Sequence, residues 1–296
     1  MKITIRDAAG NSAAVDTLGA ELKSFRTGGT EYIWQGDPRY WSGSAPFLFP
    51  IASNARQDTL YIEGKPYHMP MHGFAKDLEW TVKEQAEDRV TFLLRQTEET
   101  LASYPFRFTM EAEYAIAGGA LTMTMTIRND DAREMPYCFG THPAFNVPFD
   151  PAAGSSFADY RIEFEKEEEN SCPLYDGAAR QIDVNRREAF LEPDNRTLKL
   201  DYDVFARVDT IIFDHMNSRS AALVDGKTGR KLILGYPTFD YAAVWTKPGA
   251  PYVCIEPWQG LSACSDEDDN ILSKRGVKCL KPGESDVYVL TFAVTE

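Results

Sequence analysis

Histidine is the side chain best suited to move protons near neutral pH, and His142 has the most informative setting of the four histidines in this sequence. It lies in the segment 140–145, GTHPAF, after strand-like residues that lead to Tyr137. We therefore predict that a strand ends close to His142, where Pro143 favours an extended backbone. A histidine fixed in this way is suited to donate a proton. A turn histidine held by structural hydrogen bonds would show the same local sequence.

A second histidine, His72, precedes Gly73 in the segment 71–75, MHGFA. Glycine lets a ligand or a neighbouring strand approach closely, so His72 is a candidate binding residue. A buried histidine satisfied by the backbone is the alternative. His68 lies four positions earlier, a spacing that suits metal ligation on a helix, but Pro70 argues against a helix. We therefore expect no metal site here.

The segment 254–260, CIEPWQG, supplies a candidate general base. Residues 253–255 are typical of a buried strand, and we expect Glu256 at its end. Burial penalises a carboxylate charge, so it raises the pKa of the group and makes it a useful base. Trp258 offers an aromatic face to the C–H side of a sugar ring. The alternative is a glutamate in an exposed loop.

Other polar side chains are less specific candidates. Asn54 and Arg56 follow the segment 49–53, FPIAS, and could donate hydrogen bonds to hydroxyl groups; an exposed ion-pair partner is the alternative for Arg56. Asp209 precedes the strand-like run 210–213. Four aromatic residues could line a sugar site, although in a large β-sandwich aromatic residues more often belong to the core: Trp34, Trp41, Tyr241 and Trp245.

The elements that must position these residues are mostly strands, because hydrophobicity alternates with a period of two. The runs 108–116 and 121–127 flank Gly118-Gly119 and predict a hairpin, as do 221–224 and 231–234 around a glycine-containing turn. Further strands are expected at 2–6, 90–95, 160–165, 252–255 and 286–294. One short helix is expected at 98–102, capped by Thr97. Many short strands predict an all-β protein, a large antiparallel β-sandwich in one domain over residues 1–296.

Composition excludes several classes of function. A net charge of −14 and a pI of about 4.8 disfavour nucleic-acid and anionic-membrane partners. No apolar run approaches the ~18 residues of a membrane span, and the first residues lack a signal-peptide core. The five cysteines form no Cys-x-x-Cys pair, so we expect reduced thiols and a cytoplasmic protein. The acidic run 266–269 lacks calcium-loop spacing and is expected to be a solvated tip.

Taken in order, the segments resemble the aldose 1-epimerase (galactose mutarotase-like) family, and within it the LacX-type bacterial branch. The resemblance covers essentially the whole chain. The segments that carry it are 19–25 (GAELKSF), 31–36 (EYIWQG), 44–50 (SAPFLFP), 61–67 (YIEGKPY), 71–75 (MHGFA), 140–145 (GTHPAF), 255–258 (IEPW) and 280–284 (LKPGE).

The resemblance implies a galactose mutarotase-like supersandwich that holds a sugar on the concave face of one sheet. It implies an isomerase without a cofactor, in which His142 protonates the ring oxygen and Glu256 removes the proton from the C1 hydroxyl. His72 would bind and polarise the substrate, and Asp209 would hold sugar hydroxyls. The expected partner is a free sugar like glucose or galactose, and the protein is expected to be a monomer or homodimer.

The sequence departs from the family pattern at one position. Many members carry an arginine soon after the Phe-Pro turn; here either Arg56 fills that role from a shifted position or Asn54 replaces it. A hexose phosphate would need a cluster of cations, and none is evident, so a neutral sugar is favoured. A catalytically weak carbohydrate-binding or regulatory module on the same fold is the main alternative. A hydrolase would need two carboxylates flanking the scissile bond, and only Glu256 is well placed.

Overall fold

The computed structural model describes residues 1–295, and strands dominate them. In chain order the strands are β1 (Lys2–Arg6), β2 (Ser12–Asp16), β3 (Leu22–Thr27), β4 (Thr30–Glu31), β5 (Phe47–Leu48), β6 (Thr59–Ile62), β7 (Lys65–His68), β8 (Thr81–Gln85), β9 (Arg89–Arg95), β10 (Phe108–Ala117), β11 (Ala120–Asn129), β12 (Met135–Tyr137), β13 (Phe139–Thr141), β14 (Ala144–Asn146), β15 (Tyr160–Phe164), β16 (Cys172–Asp176), β17 (Gln181–Glu188), β18 (Thr197–Lys199), β19 (Thr210–Phe213), β20 (Ser220–Asp225), β21 (Lys231–Gly235), β22 (Tyr241–Trp245), β23 (Tyr252–Gln259), β24 (Lys278–Leu280) and β25 (Ser285–Thr295). The α-helices are α1 (Glu98–Ser103) and α2 (Tyr202–Val208), and short 3-10 turns span Arg56–Asp58, Ala75–Asp77, Pro151–Ala153, Phe157–Asp159 and Ile271–Ser273.

Two large sheets form the framework of the described chain. One has the strand order β18-β15-β20-β21-β25-β11-β10-β9-β8. The other, called here the site sheet, has the order β17-β16-β19-β22-β23-β13-β5, with β14 also beside β23. Smaller sheets are formed by β1 to β4, by β6 with β7 and by β12 with β24. The predicted all-β antiparallel sandwich is confirmed.

The hydrophobic core lies between the two large sheets, and aromatic side chains join them. Ring centroids lie 4.9 Å apart for Phe139 and Tyr288, and 4.9 Å apart for Phe164 and Phe213. Edge and tilted contacts of this kind add to the apolar area that is removed from water. A contiguous core of this size keeps the strands of the site sheet in fixed register.

The local predictions for two hairpins and one helix are confirmed. Strands β10 and β11 pair from Ala117 opposite Ala120, which leaves Gly118-Gly119 as a two-residue loop with positive φ at both positions. Strands β20 and β21 pair as expected. The Thr97 side chain accepts a hydrogen bond from the Thr100 backbone and caps α1. Helix α2 was not predicted from the sequence.

Alternation along β23 presents the candidate base to the outer face of the site sheet. Val253 and Ile255 point into the main core, whereas Cys254 and Trp258 pack in separate clusters on the opposite face. Since Glu256 lies two residues from each of them, it shares their face. The sequence prediction that this strand ends before Glu256 is wrong, because β23 continues to Gln259 through Pro257 and Glu256 lies in its interior.

A gap in the pairing of β23 explains how His142 reaches this face. On one side, β23 pairs with β14 up to Ala144 opposite Cys254, and with β13 from Gly140 opposite Trp258. The two ladders share one register, so the position that faces Glu256 across the gap is His142. Residues directly opposite in an antiparallel pair bring their side chains within contact distance. The shared register therefore explains why His142 and Glu256, which are far apart in sequence, lie side by side.

Candidate active site

A pocket of about 650 Å³ opens on the outer face of the site sheet. Its volume lies within the ~300–1,000 Å³ that small-molecule sites usually occupy. Strands β19, β22 and β23 supply its floor, and loops before β5 and after β7 supply its walls. The lining residues that the argument uses are Trp41, Asn54, His72, His142, Tyr175, Asp209, Trp245, Glu256 and Trp258.

Glu256 lies on the floor of the pocket and is only 1% exposed. Its Oε2 atom makes no hydrogen bond with any residue of the described chain. Burial raises the pKa of this carboxyl well above its ordinary value, Trp258 opposes the rise in part, and the charge of Asp209 adds to it. Glu256 is therefore a buried carboxyl with a strong tendency to hold a proton, as a general base needs.

His142 lies beside Glu256, with 3.3 Å between its Nε2 atom and Oε2 of the carboxyl. Its backbone N–H donates to the carbonyl of Pro46 at 3.1 Å, which fixes the main chain in the pairing gap. Its ring packs on Trp41 with centroids 4.7 Å apart and meets Trp245 at 5.7 Å. Burial lowers the pKa of His142 to about 3.

These opposite shifts mean that the pair shares a single proton over a wide pH range. Burial favours the uncharged pair, an imidazole beside a carboxylic acid. The ion pair of imidazolium and carboxylate holds the same number of protons and differs only by transfer of one proton between Nε2 and Oε2. A bound ligand whose dipoles stabilise the ion pair can therefore convert one form into the other without proton uptake from solvent.

His72 contributes a neutral N–H donor to the pocket. The backbone N–H of Ser53 donates to His72 Nδ1 at 3.1 Å, so Nδ1 is the bare nitrogen and Nε2 carries the proton. Burial, followed by the neighbouring His142 and Lys76, lowers the pKa of His72 well below its ordinary value. The His72 and His142 rings are 5.5 Å apart.

Glycine at position 73 makes this placement of His72 possible. A Cβ atom there would lie 2.0 Å from the Phe49 carbonyl oxygen, and the backbone φ is +66°. Only glycine combines that conformation with such a close approach. The close approach predicted from the His-Gly sequence is thus made by the backbone of Phe49.

Asp209 and Trp258 also line the pocket, as expected from the sequence. Asp209 follows α2 with φ of +61°, and its carboxylate accepts a hydrogen bond from the Thr210 hydroxyl at 2.9 Å. Trp258 is 3% exposed, and its indole N–H lies near the Glu256 carboxyl, where it opposes the rise in the pKa of that group.

Asn54 and Arg56, the two candidates for the role of the family's arginine, lie in different surroundings. Asn54 is buried at the pocket wall, but hydrogen bonds to neighbouring side chains engage both its amide oxygen and its amide nitrogen. Arg56 is not brought to the pocket: its guanidinium donates to the carbonyls of Cys264 and Glu267 at 2.9 and 3.1 Å. The chain turns outward after buried Asn54, so Arg56 ties down the acidic loop instead of facing a ligand.

The acidic loop is held by cations and backbone N–H groups. Arg56 lies 3.4 Å from Asp269, and Arg275 lies 2.7 Å from Asp266. Within residues 1–295, the side chains with the spacing of a metal site are instead His142, Cys254 and Glu256, whose ligand atoms all lie within 4.8 Å of one another. Burial, followed by the charge of Glu256, raises the pKa of the Cys254 thiol well above its ordinary value.

The four aromatic candidates divide between the pocket and other packing. Trp41 and Trp245 line the pocket and pack on His142, whereas Trp34 and Tyr241 are not among its lining residues. Tyr175 comes from β16 and is a pocket residue that the sequence did not predict. The segment Cys172–Asp176 does not alternate between buried and exposed residues, and local sequence could not show which strand would lie next to β19.

The pocket offers little free positive charge. Lys23 pairs with Glu21 at 2.6 Å, and Lys76 pairs with Asp77. Because each lysine that lines the pocket has a carboxylate partner, an anionic ligand would compete with those carboxylates for the cation. The electrostatics therefore suit an uncharged ligand.

Comparison with known proteins places the chain in a family. The sequence profile of aldose 1-epimerase matches residues 1–292. The chain belongs to the aldose 1-epimerase family. It is 36% identical over 267 residues to the chromosomal protein LacX of Lactococcus lactis subsp. lactis, with 88% of each chain covered. The resemblance to the LacX-type branch is thereby confirmed.

A more distant relative is similar over less than half of the chain. The chain is 30% identical over 140 residues to a putative glucose-6-phosphate 1-epimerase of Escherichia coli K12, which covers 44% of this chain and 43% of that protein.

Solved structures of galactose mutarotase-like proteins share the whole fold. A galactose mutarotase-like protein from Lactobacillus casei ATCC 334 superimposes with a TM-score of 0.90 at 28% identity, over 100% of both chains. A galactose mutarotase related enzyme from Lactobacillus acidophilus gives 0.89 at 28% identity, over 100% of this chain and 98% of that one. Within residues 1–295, no helix combines the length and apolar character needed to cross a membrane.

Proposed function

We propose that this protein is an aldose 1-epimerase that interconverts the α and β anomers of a free, unphosphorylated aldohexose. The observation that carries the proposal is the separation of 3.3 Å between His142 Nε2 and Glu256 Oε2 on the floor of the pocket. The ring oxygen O5 and the hydroxyl oxygen O1 of a pyranose are bonded to the same carbon. An acid and a base that act on both atoms must therefore lie this close together.

The reaction needs one proton removed and one proton supplied. Glu256 takes the proton of the O1 hydroxyl while His142 gives its Nε2 proton to O5, so the C1–O5 bond breaks and C1–O1 becomes a carbonyl. Rotation about the C1–C2 bond presents the other face of the aldehyde. The two protons then return by the reverse steps. The pair ends as it began, and no electron leaves the sugar.

Other residues would bind the ring. His72 Nε2–H would donate to a sugar oxygen, and the Asp209 carboxylate would accept hydrogen bonds from hydroxyls; both side chains line the pocket. Trp258 would bind through its aromatic face. The paired lysines of the pocket support a neutral sugar, and the free thiols of all five cysteines fit a reduced compartment.

Polarimetry of freshly dissolved α-D-glucose and α-D-galactose tests the proposal. We expect the protein to accelerate the rotation change above the spontaneous rate. Positioned acid–base groups contribute roughly 10²–10⁴-fold each, so Glu256→Gln and His142→Gln should each lose about that factor. The exposed Glu84, changed to Gln, is a matched control that should keep full activity. Near-normal turnover by Glu256→Gln would refute the assigned base, and binding without acceleration would support the carbohydrate-binding alternative.

A further inference from the structure

A chain of hydrogen-bonded polar side chains runs from the protein surface to the pocket wall and does not include the catalytic pair. It consists of Asp58, Arg180, Asn54 and Tyr175. Arg180 donates two hydrogen bonds to the Asp58 carboxylate, at 2.9 and 3.1 Å, and a third to the Asn54 amide oxygen at 2.7 Å. The Asn54 amide nitrogen donates to the Tyr175 hydroxyl at 2.7 Å.

The first consequence is a fixed orientation of the Asn54 amide. A guanidinium has donors only, so the atom of Asn54 that faces Arg180 must be the oxygen. The amide nitrogen then necessarily faces Tyr175. Asn54 is 1% exposed, which leaves its amide no room to exchange these partners for water. Asp58 holds Arg180 through a two-pronged contact of the kind that carboxylates and guanidinium groups favour.

The second consequence concerns the Tyr175 hydroxyl. Because this oxygen accepts the Asn54 N–H, its own proton points elsewhere. Within residues 1–295, no hydrogen bond donated by Tyr175 is found, and both Tyr175 and Asn54 line the pocket. The ring is held from behind by the apolar cluster that contains Ile212 and Trp258. The hydroxyl proton is thus available to the pocket.

We propose that Tyr175 is a hydroxyl-recognising residue, which donates one hydrogen bond to a sugar oxygen, and that Arg180 sets this polarity through Asn54. The inference rests on the proposed function in taking the ligand to be a sugar. Arg180 and Asn54 act as positioning residues, since both ends of the Asn54 amide are engaged and Arg180 does not line the pocket. With Tyr175 as a donor and Asp209 as an acceptor, the pocket would offer a sugar hydroxyl both kinds of hydrogen-bonding partner.

The first test is removal of the hydroxyl alone. Tyr175→Phe should weaken binding of D-glucose and D-galactose about 2- to 13-fold, which corresponds to roughly 0.5–1.5 kcal/mol for one neutral hydrogen bond. In turnover, KM should rise while kcat stays within a factor of a few, because the contact is made equally in the ground and transition states. Tyr61→Phe makes the same change at an exposed tyrosine outside the pocket and should leave binding unchanged.

The second test reverses the polarity of the chain. In Asn54→Asp one carboxylate oxygen still accepts from Arg180, but the other can only accept, so Tyr175 must donate to it and turn its proton away from the pocket. Asn54→Asp should lose as much affinity for the sugar as Tyr175→Phe does. The double variant that combines Asn54→Asp with Tyr175→Phe should lose no more affinity than either single variant. Additive losses would show that Asn54 does not act through Tyr175 and would overturn the positioning role.

A panel of 2-, 3-, 4- and 6-deoxyglucose identifies the recognised hydroxyl. The wild-type protein should bind one of these sugars more weakly than glucose, and Tyr175→Phe should no longer discriminate against that one. Undiminished discrimination against every deoxy sugar in Tyr175→Phe would overturn the recognition role.

Equilibrium binding, followed by tryptophan fluorescence or calorimetry, is measured beside mutarotation on the same samples. If the wild type binds glucose without accelerating mutarotation, the proposed function fails, while the effect of Tyr175→Phe on binding still decides this inference. If the wild type is active and Tyr175→Phe binds both sugars as the wild type does, this inference alone fails. Absence of binding of either sugar to the wild type would overturn both.

Discussion

Mutarotation activity should persist at acidic pH values at which protonation of a histidine with an ordinary pKa would abolish it. The pair of His142 and Glu256 works with one proton, and a second proton leaves no base. Burial lowers the pKa of His142 to about 3, so the second proton is excluded until strongly acidic conditions. His72 does not add an acid limb either, because burial lowers its pKa well below the ordinary value.

The size of the effect follows from these values. With an ordinary histidine pKa of about 6.5, the singly protonated pair would fall about 25-fold between pH 7 and pH 5. With a pKa of about 3, more than nine-tenths of the pair keeps one proton at pH 5. At the alkaline end, activity should fall as pH rises through the raised pKa of Glu256, where the shared proton is lost.

The assay is kcat/KM for α-D-glucose from pH 4.5 to pH 9, with the spontaneous rate at each pH subtracted. This quantity reports the ionisation of the free protein. We expect a plateau that extends from neutral pH down to about pH 5. An acid limb with a midpoint near 6.5, and a loss of more than tenfold by pH 5, would refute the account of a buried pair with one shared proton.

Two further predictions concern stability. Glu256→Gln should become more stable relative to wild type as pH rises above about 4.5, and the difference in unfolding free energy should grow by up to roughly 1.4 kcal/mol per pH unit. The reason is that the unfolded wild type releases the Glu256 proton in this range, whereas the folded wild type keeps it until pH reaches the raised pKa. Urea titrations of both proteins that show no pH trend in this difference would contradict the prediction. Arg56→Met should lower the unfolding free energy by about 1–3 kcal/mol through lost bonds to the 264–269 loop, and should leave KM for glucose unchanged. A raised KM in this variant would show that Arg56 reaches the sugar.

Local patterns were enough to predict most of the strands. Alternation of apolar residues fixed both hairpins and β25, and Thr97 marked the start of α1. The interior position of Glu256 was missed because Pro257 usually ends a central strand. In the structure, Pro257 lies opposite Ala242 on one side, and the gap between β13 and β14 lies on the other.

Contacts between residues far apart in sequence determine the parts of the site that the sequence could not predict. Arg56 and Asn54 are two residues apart, yet one binds the 264–269 loop and the other lies at the pocket wall; local sequence gives no reason to separate them. Arg180 and Tyr175 act there because the β16–β17 hairpin folds against residues 54–58, more than a hundred positions away. Helix α2 was missed because its residues 204–208, VFARV, are equally typical of a strand.

The central claim is that His142 and Glu256 act on the same anomeric centre. The most direct measurement is a crystal structure of the Glu256→Gln variant, which keeps the shape of the site, with D-glucose bound. We predict O1 of the sugar within hydrogen-bond reach, about 2.6–3.2 Å, of the side chain at position 256, and O5 within the same reach of His142 Nε2. A glucose bound elsewhere, or one whose O1 and O5 cannot both reach these two side chains, would contradict the account.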